Sequence, residues 1–285
     1  MRFITFLLSL GLLCLTIGCA IDVTPSAFIY QATQPLQLDT SSLQKAIQKD
    51  EAQASITTVQ LTNSQDLQLV GVAVSYPNAQ VNIVFFGGDG QTINKGSGII
   101  HRFGQIPANI LWVDYQGMGA SGRADKLKVA NLKSDALQVY DYAKEVFPTR
   151  LPTLVHGLSM GTLFATYIGA ERDVDALVLD GALNDLPSVV TNMMPGWSRP
   201  FTSLDIHPDL ANMSNVEAIK NYQGPVLFLV GEKDRVTPVE FVEQVYRAAP
   251  TANKTMYIIP EQTHYHALKQ DATIQHYREF VETIK

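Results

Sequence analysis

From position 56 onward, short apolar runs alternate with longer stretches in which apolar residues recur every three to four positions. The runs at 81–86, 109–115, 153–156, 176–179, 226–230 and 255–259 are rich in Val, Ile, Leu and Phe. They are too short for buried helices and show little polar alternation, as expected of strands covered on both faces in a parallel sheet. Two further strands are predicted at 57–61 and 67–75. Helical spacing falls over 97–103, 130–146, 159–170, 238–248 and 272–284. This alternation predicts an α/β domain over 57–285, a mostly parallel central sheet flanked by helices. One long interruption, 182–222, carries Met193, Met194, Trp197 and Phe201 and is expected to form a small cap or lid.

Residues 1–18 follow a different pattern. Arg2 precedes an apolar run at 3–15 broken only by Thr5, Ser9 and Gly11, and Thr16-Ile17-Gly18 stands directly before Cys19. One positive charge, a run too short to span a bilayer comfortably, and small residues at the cut make this a signal-peptide pattern. Gly18-Cys19 resembles the lipobox of bacterial lipoproteins, with Thr16 where that pattern more often has Leu. The resemblance implies cleavage before Cys19, acylation of Cys19, and anchorage in the bacterial cell envelope. Ala20, in place of an inner-membrane Asp, implies the outer membrane, facing the periplasm. The two cysteines, Cys14 and Cys19, leave nothing to staple the rest of the chain with a disulfide. Residues 19–56 are rich in Gln, Thr, Ser and Asp, with Pro25 and Pro35, and are expected to be a tether with a short helix at 42–53. A flexible chain of that length reaches about 35 Å.

Composition narrows the function classes. With 46% hydrophobic and 17% charged residues the chain is globular in character. Its 21 Lys+Arg against 27 Asp+Glu give a net charge of −6, and no basic run is interleaved with aromatics. Nucleic acid is therefore not an expected partner. The six histidines form no pair at helical spacing and join no cysteine cluster, so neither a metal site nor any cofactor is expected.

The chemistry is concentrated in Gly157-Leu158-Ser159-Met160-Gly161, between a predicted strand and a predicted helix. A Gly-x-Ser-x-Gly turn in that setting exposes the serine hydroxyl on a strained corner, where the helix N-terminus favours developing negative charge. A serine nucleophile needs a base, and the base an orienting carboxylate. Asp234, in Gly231-Glu232-Lys233-Asp234, and His264, in Pro260-Glu261-Gln262-Thr263-His264, each follow a strand end, where parallel sheets place their sites.

Here the chain resembles the α/β-hydrolase superfamily, and within it the Bem46-like serine hydrolases and lysophospholipase-type esterases. The motifs that carry the resemblance, besides the elbow, are Phe85-Phe86-Gly87-Gly88-Asp89-Gly90, the loop 114–122, and the acid loop 231–238. The resemblance implies the α/β-hydrolase fold, with Ser159 as nucleophile, Asp234 as acid and His264 as base. It also implies oxyanion donors at the backbone N–H of Met160 and of Gly88 or Asp89. Gly87-Gly88 stands where the family usually has His-Gly, and Asp89 must turn its carboxylate away if its N–H is to serve.

Other residues compete for these roles. His266 is an alternative base; Asp180 and Glu232 are alternative acids; Asp114 is expected to brace its loop. Gly117-x-Gly119-x-x-Gly122 spells a dinucleotide fingerprint, but no helix opens within it and Tyr142 stands where an acidic residue is required. The expected activity is hydrolysis of a small-molecule ester or lipid through an acyl-enzyme. The alternatives are a peptidase or acyltransferase of the same fold, and a non-catalytic envelope lipoprotein that uses the scaffold for binding.

Overall fold

The computed structural model describes residues 19–49 and 53–284. The expected signal peptide at 1–18 lies outside the described residues. An eight-stranded sheet is built from β2 (Ser55–Thr62), β3 (Gln68–Ser75), β4 (Val81–Phe86), β5 (Ala108–Val113), β6 (Thr153–Leu158), β7 (Ala176–Asp180), β9 (Val226–Gly231) and β10 (Lys254–Ile259). Its spatial order is β10-β9-β7-β6-β4-β5-β3-β2, and every pairing is parallel except the two made by β3. The central strands β4, β5, β6, β7 and β9 are buried along their whole length, which explains their unbroken apolar runs.

Two cores lie on opposite faces of this sheet. Successive residues alternate between them, so Val84 and Phe86 join one core while Ile83 and Phe85 join the other. The first is closed by helices α4 (Val129–Val146), α5 (Gly161–Glu171) and α9 (Val239–Ala248). The second is closed by α3 (Ser97–Gly104) and α10 (Asp271–Thr283), with Phe103, Trp112 and Tyr277 at its centre. The chain passes from β4 to β5 on one side and then crosses back to β6 on the other. The loops after β4 and β6 therefore face each other at a topological switch point, where sheets of this kind open a crevice.

The segment expected to be a tether with one docked helix carries that helix, and its remainder is packed on the domain as well. β1 (Cys19–Val23) runs parallel to β8 (Thr202–Ile206) in a separate two-stranded sheet. After α1 (Pro25–Phe28), Ile29 is buried in the first core. α2 (Thr40–Ile47) is capped by Asp39, which accepts from the Ser42 N–H, and it sinks Leu43 and Ile47 into the second core. Val23, Ile29, Leu43 and Ile47, spread through a polar stretch, hold it down.

The expected cap at 182–222 divides in two. Its later part packs on the helices of the first core, α8 (Asn215–Ala218) on α5 and α7 (Pro208–Ala211) on α4. The Asn215 side chain donates to Leu183 O and Thr162 Oγ1, both at 2.7 Å, and accepts from Thr166 Oγ1 at 2.6 Å. Its earlier part, α6 (Leu186–Met193) and the loop that follows, leaves Met193, Trp197 and Phe201 in solvent.

Candidate active site

Ser159 sits between the end of β6 and the start of α5 with φ at +53°, a left-handed conformation costly for a residue with a Cβ. Its neighbours explain why the turn can exist. A Cβ on Gly161 would lie 1.9 Å from Phe86 O, and one on Gly157 would lie 2.4 Å from Gly161 O. Only glycine at both places lets α5 start so close to the sheet. The turn is tied by the Ser159 N–H donating to Asp180 O at 2.8 Å and the Thr162 hydroxyl donating to Ser159 O at 2.6 Å.

The structure brings Ser159, His264 and Asp234 together. His264 Nε2 lies 2.7 Å from Ser159 Oγ, and His264 Nδ1 lies 2.7 Å from Asp234 Oδ2. A carboxylate can only accept, so Nδ1 carries the hydrogen and Nε2 is left to accept from the serine hydroxyl. All three side chains are buried. Asp234 is held by further donors: the N–H groups of Val236 and Thr237 to Oδ1, both at 2.9 Å, and the Thr237 hydroxyl to Oδ2 at 2.8 Å. Thr237 Oγ1 is also 3.0 Å from His264 Nδ1.

The competitors go elsewhere. His266 Nδ1 faces Thr263 Oγ1 at 3.3 Å. Glu232 accepts from the Glu261 N–H at 2.9 Å and so links the acid and base loops. Asp114 accepts from the N–H groups of Ile93 and Ala120, the bracing role expected of it, and burial pushes its carboxyl up to about 7. Asp180 ends β7 between the strands that deliver Ser159 and Asp234. Burial, and after it the charge of Asp234, raises its carboxyl well above the usual range. Beneath it His156 is fully buried among Phe85, Phe103 and Tyr277, and burial pushes the imidazole down to about 3.

The oxyanion expectation needs one correction. The Gly88 N–H donates to Gln91 Oε1 at 2.9 Å, so it is already taken. The N–H groups of Met160 and Asp89 have no such partner among the described residues. The Asp89 carboxylate accepts from the Tyr30 N–H at 2.8 Å, which turns it toward the docked N-terminal segment.

Three contributors, Thr237, Gln91 and Tyr265, are absent from the sequence reading. Thr237 follows Asp234 in an Asp-x-x-Thr turn, which is a recognisable local pattern. Gln91 has none. Tyr265 packs its ring edge-on to His264, with centroids 4.4 Å apart. Its ring passes so close to Gly88 that a Cβ there would lie 3.2 Å away. Beside it a cavity of about 400 Å³ opens on the second-core face, lined by Leu158, Asp180, Tyr265, Ile99 and Leu268.

No family model matches the chain. It is 25% identical over 179 residues to an uncharacterized membrane protein of Saccharomyces cerevisiae, covering 62% of each chain. It is 29% identical over 184 residues to human ABHD12B, covering 58% of this chain and 50% of that one. It is 29% identical over 93 residues to the human phosphatidylserine lipase ABHD16A, covering 32% of this chain and 16% of that one. The chain thus spans less than two thirds of the length of each of these relatives, from 62% down to 16%. Among solved structures, an esterase of Pyrococcus furiosus superposes with a TM-score of 0.67 at 15% identity, covering 89% of this chain and 99% of that one. An acylaminoacyl peptidase of Pyrococcus horikoshii superposes at 0.61 and 15% identity, covering 80% of this chain and 41% of that one. With the strand order, the elbow and these likenesses together, the chain has the α/β-hydrolase fold.

Proposed function

We propose that the chain is a membrane-anchored serine hydrolase of carboxylic esters, either a carboxylesterase or a lysophospholipase-like enzyme. The observation that carries this reading is the pair of 2.7 Å contacts from Ser159 Oγ to His264 Nε2 and from His264 Nδ1 to Asp234 Oδ2. Ser159 Oγ attacks the ester carbonyl as Nε2 takes its proton, and Asp234 holds the imidazolium that forms. The carbonyl oxygen, now negative, is received by the N–H groups of Met160 and Asp89. The C–O bond then breaks, the alkoxide leaves with the proton from Nε2, and an acyl-serine remains. Water repeats the sequence and releases the acid. The esterase and the phosphatidylserine lipase among the similar proteins support an ester as the bond cleaved.

A fluorophosphonate probe tests the nucleophile directly. It should label the wild-type chain and leave Ser159→Ala unlabelled, and that variant should lose on the order of a millionfold in kcat. A folded wild-type protein that takes no label overturns the reading. p-Nitrophenyl esters of increasing acyl length then rank the substrates.

The anchor belongs to the same proposal: residues 1–18 are removed and Cys19 is acylated, which places the domain in the cell envelope, at the outer membrane of a two-membrane host. Cys19→Ser should abolish incorporation of labelled palmitate and release the protein from membranes. A wild-type chain that incorporates no palmitate overturns the anchor without touching the catalytic reading.

A further inference from the structure

We propose that the loop 193–201, through Met193, Trp197 and Phe201, is a membrane-contacting surface that seats the domain on the lipid bilayer. This rests on the anchoring proposed above and extends it from a point of attachment to an orientation.

The loop exposes what a water-facing surface normally hides. Met193, Trp197 and Phe201 are 64%, 78% and 53% exposed, whereas the other tryptophan, Trp112, is 1% exposed. Three large apolar side chains on nine residues form a patch of the kind that marks an interaction site. The loop is also built rather than loose. The Arg199 guanidinium donates to Asn192 O and Met194 O, the Ser198 hydroxyl to Pro195 O, and the Thr202 hydroxyl to Ser198 O. These bonds close the loop on itself and hold its apolar side chains outward.

Two arguments identify lipid as the occupant. The first is where the chain meets it. β1 pairs in parallel with β8, with Cys19 opposite Thr202, the residue directly after Phe201. Neighbouring strands lie about 4.8 Å apart. A lipid on Cys19 therefore enters the bilayer beside Phe201, and because β1 begins at Cys19 almost no slack separates the anchor from the patch. The second is charge. In a chain of net charge −6, the loop from Met193 to Phe201 holds Arg199 and no acidic residue. The acidic pair of the small sheet, Asp22 opposite Asp205, lies three residues further along both strands, about 10 Å away. An aromatic, cationic tip with its acids set back suits an interface of acyl chains beneath phosphate headgroups.

The seat also bears on the active site. Asn192 Nδ2, at the end of α6, donates to Arg235 O at 2.9 Å, next to Asp234. A domain resting on 193–201 has its acid loop close above the membrane, so the substrate class that fits is an ester lipid drawn from the bilayer.

The test uses the full acylated chain in vesicles of phosphatidylethanolamine and phosphatidylglycerol doped with brominated phosphatidylcholine. Of the two tryptophans, the emission lost in Trp197→Phe is that of Trp197. We expect that component to be blue-shifted and quenched by the brominated lipid. A triple variant, Met193→Ser with Trp197→Ser and Phe201→Ser, should label fully with fluorophosphonate and cleave p-nitrophenyl acetate as wild type does. It should lose about tenfold on a vesicle-embedded ester. Vesicle-bound wild-type protein whose Trp197 is not quenched overturns the proposal while the anchor stands. Blue shift without lipid quenching, with dimers in detergent, assigns the patch to a second copy and overturns it too. Failure of the anchor shows separately, as wild-type protein that incorporates no labelled palmitate, and failure of the catalytic reading as absent labelling of the wild type by the fluorophosphonate.

Discussion

Thr237 holds the Asp234 carboxylate, the acid of the proposed mechanism, by two donors of its own. Its hydroxyl donates to Asp234 Oδ2, the same oxygen that receives His264 Nδ1, and its N–H donates to Oδ1. Replacing it with valine keeps the shape and the N–H bond and removes the hydroxyl. A hydrogen bond to a charged group is worth about 1.5 kcal/mol or more, so Thr237→Val should lower kcat on the order of tenfold. KM for p-nitrophenyl esters should change little, and Thr237→Ser should recover most of the rate. A second residue-scale expectation concerns Asp180. Burial, and then the charge of Asp234, hold its carboxyl well above the usual range. Above pH ~4 the unfolded chain releases this proton while the folded chain keeps it, so stability falls as pH rises toward the raised folded value. Asparagine has the same shape and never ionises. Asp180→Asn should therefore melt near the wild-type Tm at pH 4 and gain on wild type as pH rises from there toward the raised folded value. A constant difference across that range would assign the effect to packing instead of ionisation.

At the scale of elements, the docked N-terminal segment makes the clearest prediction. Leu43 is fully buried on α2, between that helix and the second core. Leu43→Ala should destabilise the protein by about 2–5 kcal/mol if the helix is part of the cooperative fold. Measured by urea unfolding, a change below about 0.5 kcal/mol would mean that the segment is not integral to it. The same segment shows where sequence reading stops. The elbow was legible because its requirement is local: only glycines at 157 and 161 clear Gly161 O and Phe86 O. Asp234 and His264 were legible because each follows a short apolar run that reads as a strand, although only β9 is buried throughout and β10 is an edge strand that buries Ile259 alone. By contrast, β1 exists because Thr202–Ile206 offers it an edge. No window around Cys19 contains that information, and the polar composition of 19–56 points the other way. The helix expected at 42–53 begins earlier, at Thr40, because Asp39 provides the cap. The strand expected at 109–115 ends at Val113, after which Asp114 turns its carboxylate to the N–H groups of Ile93 and Ala120. The Gly88 N–H was misjudged for a similar reason, since the glutamine that takes it shows its role only once the loop has folded back.

The whole molecule is two cores sharing one sheet, and that arrangement decides how it should come apart. Strands β4, β5, β6, β7 and β9 send alternate residues to each face, so neither core can dissolve while the sheet remains intact around the other. Val84 and Phe85 are consecutive residues in different cores. Unfolding should accordingly be a single transition despite the length of the chain. The fold supplies its own reporters. Trp112 lies in the second core, while α4, α5 and α9 close the first and contribute much of the helical signal. Phe164, fully buried on α5 in the first core, is far from Trp112 in sequence and lies on the opposite face. Phe164→Ala should destabilise by about 3–5 kcal/mol. It should also move the Trp112 fluorescence transition and the far-ultraviolet circular dichroism transition by the same amount, with Trp197→Phe as the background to remove the exposed emitter. If the dichroism shifts and the Trp112 signal does not, the two faces unfold separately and the shared sheet does not couple them.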